Sequence, residues 1–124
     1  MIEVRDIRKS FDGKEVLKGI STKYEKGKTN LIIGQSGSGK TVMLKTLLGV
    51  HTPDSGQILF DGQDYAKLNV EEKRDIRTQI GMVFQGSALF DSMNVEENIA
   101  FPLKMFTQKS DQDIKIRVQE VIER

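Results

Sequence analysis

The chain of 124 residues contains no cysteine, no tryptophan and only two prolines. Without cysteine there is no disulfide and no thiolate metal site, a composition that fits a reducing compartment. Apolar runs reach only a few residues, so no segment reads as a bilayer span, and Met1-Ile2-Glu3-Val4-Arg5 does not read as a signal peptide. An excess of one charge is missing too. Lys+Arg 19 against Asp+Glu 18 leaves +1, which gives no electrostatic ground for nucleic acid or an anionic membrane as partner. The single histidine, His51, stands before a Thr-Pro turn without metal or base partners and reads as a solvated loop residue. No internal repeat or low-complexity tract appears. A chain of this length suits one domain burying roughly two-thirds of its unfolded surface.

What the chain does have is glycine at telling places. Gly34-Gln35-Ser36-Gly37-Ser38-Gly39-Lys40-Thr41 fits the phosphate-binding pattern G-x-x-x-x-G-K-[ST] at every fixed position. A loop wrapping a polyphosphate must aim several backbone N–H groups inward, which needs glycine where φ is positive or a side chain would collide. The helix that follows offers free N–H donors and a positive dipole end to the same anion. Gly34, Ser36, Gly37, Ser38 and Gly39 therefore read as the cradle, with the two serines as spacers lending backbone N–H groups. Lys40 reads as the mobile charge for β- and γ-phosphates and Thr41 as the Mg²⁺ ligand. Context agrees. Leu31-Ile32-Ile33 reads as a buried parallel strand before the loop, and Val42, Met43, Leu44, Leu47 and Leu48 recur at helical spacing up to a C-capping Gly49.

Around this motif the pattern reads as an α/β fold. Residues 2–8 alternate as a strand with a slip near Asp6, Asp12-Gly13 is a turn, and 16–24 form a second, antiparallel strand. Pro53-Asp54-Ser55-Gly56 is a turn, 57–60 a strand, and Asp61-Gly62 a hairpin turn. Asn69 with Glu72 opens a short helix over 70–77, and Ile80-Gly81-Met82-Val83-Phe84 reads as another central strand. Asn94 with Glu97, and Ser110 with Asp113, start two more helical segments, the first interrupted by Pro102. Ile114, Val118, Val121 and Ile122 form one apolar face of the last. That helix has no stop signal, which leaves two readings open: a helix frayed at a natural terminus, or a chain cut short.

In order along the chain, these segments resemble the ATP-binding subunits of ABC transporters. Ser10-Phe11-Asp12-Gly13 looks like the A-loop, whose aromatic, here Phe11, stacks on adenine. Val16 is either an apolar neighbour of the base or ordinary core. Gly34 to Thr41 is the Walker A loop, and Pro53 to Ile58 resembles the family's P-x-x-G-x-I stretch. Gly81-Met82-Val83-Phe84-Gln85 looks like the strand ending in the Q-loop glutamine, which implies a Mg²⁺ or attacking-water contact for Gln85. Residues 88–103 resemble the Mla-type ATPases, which power phospholipid or other hydrophobic-substrate traffic with an MCE-type substrate-binding partner.

The resemblance implies a P-loop NTPase core with an N-terminal antiparallel β subdomain, over residues 1–93, and the start of a helical subdomain, over 94–124, the whole truncated. It implies ATP and Mg²⁺ as ligands, Lys40 and Gln85 as catalytic groups, and Thr41 and Gln85 at the metal. The partners implied are a transmembrane permease contacted through Gln85–Leu103 and a second ATPase subunit. The place implied is the cytoplasmic face of the cell membrane. The family's L-S-G-G-Q signature loop, its Walker B Asp-Glu and its later histidine have no counterparts among these residues. A non-catalytic nucleotide-binding or assembly module is thus the rival reading. A P-loop kinase or GTPase is a weaker third, because neither has the stretch of 81–103.

Overall fold

The computed structural model describes residues 1–86 and 88–124. They form two compact units, Met1–Gly81 and Met82–Arg124. In the first, β1 (Ile2–Phe11), β2 (Lys14–Tyr24), β3 (Ser55–Phe60) and β4 (Gln63–Asp64) make an antiparallel sheet in the order β2-β1-β3-β4. Helix α1 (Lys40–Leu47) and helix α2 (Val70–Thr78) complete the unit, with a 3₁₀ turn at Tyr65–Lys67.

The expected slip in β1 is a bulge at Asp6, whose φ is 46° and whose N–H donates to Ser21 Oγ at 2.8 Å. Residues three apart on a regular strand face opposite sides; the extra residue lets Val4 and Ile7 both enter the core, at 1% and 0% exposure. They meet Leu17, Met43, Leu47 and Ile58 there. Asp12-Gly13 and Asp61-Gly62 turn their hairpins with both central residues at positive φ, as primed two-residue turns require. Helix α1 ends as expected at Gly49, with φ 73° and the paired bonds Val50 N–H to Lys45 O at 2.9 Å and Gly49 N–H to Thr46 O at 3.1 Å.

Three expectations are corrected. Residues 31–33 and 80–84 form no strand, and Leu31, Ile33 and Val83 stand 81%, 85% and 98% exposed. A parallel strand exists only through hydrogen bonds to neighbours, and no described segment pairs with either run, so apolar composition alone leaves them extended and unladdered. Ser55 and Gly56, read as turn, already belong to β3. Pro102 does not interrupt its helix, because α3 (Val95–Phe106) runs through it. The proline forfeits one backbone bond, while packing of Ala100, Ile99 and Leu103 on Ile114 and Val118 of α4 (Asp111–Ile122) holds the turns on either side. These helices make up the second unit's core.

Candidate nucleotide-binding site

The loop and α1 act as one device. Gly37 and Gly39 have φ of 78° and 101°, both closed to ordinary side chains. Gly39 is also pressed by β2, where an added Cβ would lie 3.0 Å from Val16 Cγ1 and 3.3 Å from Val16 O. Val16 thus packs on the loop's last turn. At Gly34 a Cβ would come 2.5 Å from Ser38 Oγ, so a side chain there would make the Ser38 hydroxyl turn away. Ser38 N–H donates to Gln35 O at 3.1 Å and closes the loop.

Where the chain enters α1, Gly39 caps without a side chain and the first turn carries no acid. The first N–H donors of the helix are therefore left to an outside acceptor. Lys40 is half-buried and turns its ammonium back on the loop, donating to Gly34 O and, at 3.1 Å, to Gln35 O. Thr41 is exposed at the first turn. Behind the loop, a hollow of about 360 Å³ is walled by Ile20, Tyr24, Ile32 and Met43. Gly34, Ser38, Gly39 and Lys40 of the loop line its other side, so the hollow is apolar on one wall only, and burial there pushes the Tyr24 hydroxyl's pKa up.

Phe11 ends β1, 37% exposed. Its ring meets His51 edge-on at 5.2 Å, so His51 is a half-buried partner of Phe11 and not the solvated residue expected. Lys9 Nζ stands 5.3 Å from the ring centroid. Asp54 accepts from Ser10 N–H at 2.7 Å and from Lys9 Nζ at 3.2 Å, and these two hold its carboxyl below the usual range, the amide more than the ammonium. Sequence reasoning saw Asp54 only as a turn residue, since nothing local signals a partner 44 residues back.

The structure brings Gly34, Ser36, Gly37, Ser38, Gly39, Lys40 and Thr41 into one loop and helix start, and sets Phe11 in the same unit. Gln85 lies in the second unit, exposed in a turn with Gly86 at φ 83°. Sequence reasoning also missed Asn98, whose amide donates to Phe90 O, Met93 O and Asn94 O and accepts from Phe90 N–H, pinning the turn before α3. Among the described residues no group of three or more His, Cys, Asp or Glu could hold a metal. A metal here would have to lean on Thr41 and on phosphate oxygens, which is how Mg²⁺ is commonly held beside nucleotides. No helix among them is long and apolar enough to cross a membrane.

Residues 17–124 match the family model described as ABC transporter. The chain is 44% identical over 124 residues to the spermidine/putrescine import ATP-binding protein PotA of Nitrosospira multiformis, covering all of this chain and 32% of that protein. It is 38% identical over 122 residues to the probable ribonucleotide transport ATP-binding protein mkl of Mycobacterium leprae, and likewise to the chloroplastic protein TRIGALACTOSYLDIACYLGLYCEROL 3 of Arabidopsis thaliana. Each of these two comparisons covers 98% of this chain and 35% of the relative. Its fold matches the dimeric, post-hydrolysis ATP-binding cassette MJ0796 bound to ADP and Pi with a TM-score of 0.81, at 27% identity over 99% of this chain and 56% of that one. The chain thus spans about a third of the length of these curated relatives and about half of the solved cassette. With most of its length matched by one family model and its fold that of a solved cassette, the chain belongs to the ABC transporter family.

Proposed function

We propose that the chain is the nucleotide-binding part of an ABC transporter's ATPase subunit, which takes Mg-ATP and, in the intact protein, couples its hydrolysis to transport. One observation carries the reading. Lys40 stands at an uncapped helix N-terminus, among glycines of positive φ, with its ammonium on the loop's own carbonyls. A cation held by the loop's carbonyls beside a helix start with no side-chain cap is a pairing that a polyphosphate satisfies.

Lys40 then exchanges the Gly34 and Gln35 carbonyls for β- and γ-phosphate oxygens. The amides of residues 36, 37 and 39–41 donate to the same oxygens, Gly37 and Gly39 allowing the backbone to turn them inward, while Ser38 N–H stays on Gln35 O and closes the loop. Phe11 stacks on the adenine. Thr41 would hold Mg²⁺, whose charge spans the phosphates when bound, and Gln85 would contact the metal or the attacking water. In-line attack of water on the γ-phosphorus would break its bond to the β–γ bridging oxygen and release ADP, and Lys40 and the loop amides would stabilise the charge spread over the phosphate oxygens.

Residues 1–93 are assigned to the β subdomain and loop core and 94–124 to the start of the helical subdomain, although the two compact units divide earlier, after Gly81. Gln85–Leu103 meets a transmembrane permease, a second ATPase subunit completes a dimer, and the assembly sits on the cytoplasmic face of the cell membrane. The cargo is a phospholipid or another hydrophobic molecule, delivered with an MCE-type partner. The likeness of residues 88–103 to Mla-type ATPases supports that cargo, as does the glycolipid in the Arabidopsis relative's name. Other relatives are named for ribonucleotide or for spermidine and putrescine.

Lys40→Ala tests the site. It removes the charge meant for the phosphates, and ATP affinity measured by calorimetry is expected to fall at least about tenfold, ~1.4 kcal/mol. Unchanged affinity in a folded variant removes residues 34–41 as the phosphate loop.

A further inference from the structure

The turn after α1 reaches back to the end of β1. Asp54 N–H donates to Arg8 O at 2.8 Å, while its carboxylate takes Ser10 N–H at 2.7 Å and Lys9 Nζ at 3.2 Å. Residue 54 is thereby stapled to all three residues that precede Phe11. The same turn carries His51, whose ring meets Phe11 at 5.2 Å with the planes 71° apart. Lys9, tied to Asp54, also lies over the Phe11 ring. Two restraints on one aromatic therefore come from a single local unit, and the ring still keeps 37% of its residue exposed.

We propose that His51 is a positioning residue for the nucleotide base: held by the Asp54 staple, its ring fixes the orientation in which Phe11 presents its open surface. The proposal rests on the reading of Phe11 as the residue that stacks on adenine. A phenylalanine ending a strand at a hairpin has little around it to choose one rotamer, and ordering it on binding costs affinity. An edge-to-face neighbour at this separation is attractive and directional, so the ring is ordered before the base arrives. Lys9 sits where a cation and an aromatic face attract, which adds to the same restraint.

The test is a double-mutant cycle in the protein as its gene encodes it, read by calorimetry with two probes, ATP and inorganic tripolyphosphate. His51→Ala is expected to weaken ATP roughly two- to tenfold, the worth of one pre-ordered side chain, and to leave tripolyphosphate unchanged. In a Phe11→Ala background the same change is expected to do nothing further. His51→Phe, which keeps an aromatic edge, is expected to hold near-native ATP affinity. A His51→Ala variant that binds ATP normally, that loses both probes alike, or whose loss simply adds to that of Phe11→Ala overturns the role of His51. If Phe11→Ala itself leaves ATP affinity untouched, the stacking assignment falls, and this proposal with it.

Discussion

At Gly56 an added Cβ would lie 2.4 Å from the Asp6 carbonyl oxygen and 2.6 Å from that of Arg5, and backbone atoms cannot swing aside. Its φ of 93° adds strain for any L side chain. Gly62 has a similar φ of 84° but nothing within 4 Å of a Cβ. Gly62→Ala is therefore expected to cost about 1 kcal/mol of strain alone, and Gly56→Ala about 3 kcal/mol or more. Urea unfolding of both variants checks this, and equal losses would mean the bulge relaxes around the methyl. None of this was legible in the sequence, where Gly56 looks like a turn residue, because its neighbours lie fifty positions away. Asp54 is similar. Its folded pKa is depressed by the Ser10 amide first and Lys9 second, so the stability it lends is complete above the ordinary carboxylate range and is lost as pH falls through the lowered value. An NMR titration is expected to find its midpoint below that range, with Lys9→Met raising it only in part. A midpoint at the ordinary value would remove the staple from solution.

Elements were legible wherever their signal is local. Asn69 and Glu72 form the reciprocal capping box read from their spacing, with Asn69 N–H to Glu72 Oε2 and Glu72 N–H to Asn69 Oδ1 both at 2.9 Å. Asn94 and Ser110 accept from the N–H groups of Glu97 and Asp113 in the same way. Helix α2 buries no residue, so its caps carry much of its winding, beside the bond from Arg77 Nε to the Tyr65 hydroxyl at 3.0 Å and Lys73 over the Tyr65 ring. Asn69→Ala is expected to cost it about 1 kcal/mol, seen as faster amide exchange confined to 70–78. Exchange unchanged there would mean tertiary contacts hold α2. The runs 31–33 and 80–84 were misread for the opposite reason. Apolar composition signals burial, but a ladder needs a partner, and partnership is not written in the run itself. Of the phosphate loop, the glycine positions and Lys40 were readable because geometry dictates residue type there. The grip of Val16 on Gly39 and of His51 on Phe11 was not, since each joins segments remote in sequence.

At the scale of the whole chain, apolar surface decides one behaviour and missing groups another. Leu31, Ile33, Val83 and Phe106 stand 81%, 85%, 98% and 70% exposed, and Val121 and Ile122 leave half the last helix's stripe open. Such surface finds other surface. Residues 1–124 made alone are expected to associate, giving a light-scattering mass above 14.0 kDa; a monodisperse monomer would contradict this. Association does not supply turnover. The ABC resemblance implies a site shared between two subunits, in which a signature loop faces the phosphate loop, a carboxylate polarises the attacking water and a histidine touches the γ-phosphate. These residues offer Lys40, Thr41 and Gln85. Their one Ser-Gly outside the loop, Ser55-Gly56, is spent in β3 against the bulge, and the first turn of α1 carries no acid. His51 is engaged with Phe11. An electrostatic donor is worth ~10²–10³-fold and a general base ~10²–10⁴-fold, and the resemblance gives a pair of these chains no counterpart of the signature loop or of the carboxylate. Residues 1–124 are therefore expected to release phosphate from ATP at the background rate. Turnover that Lys40→Ala abolishes would show that a base within these residues has gone unrecognised.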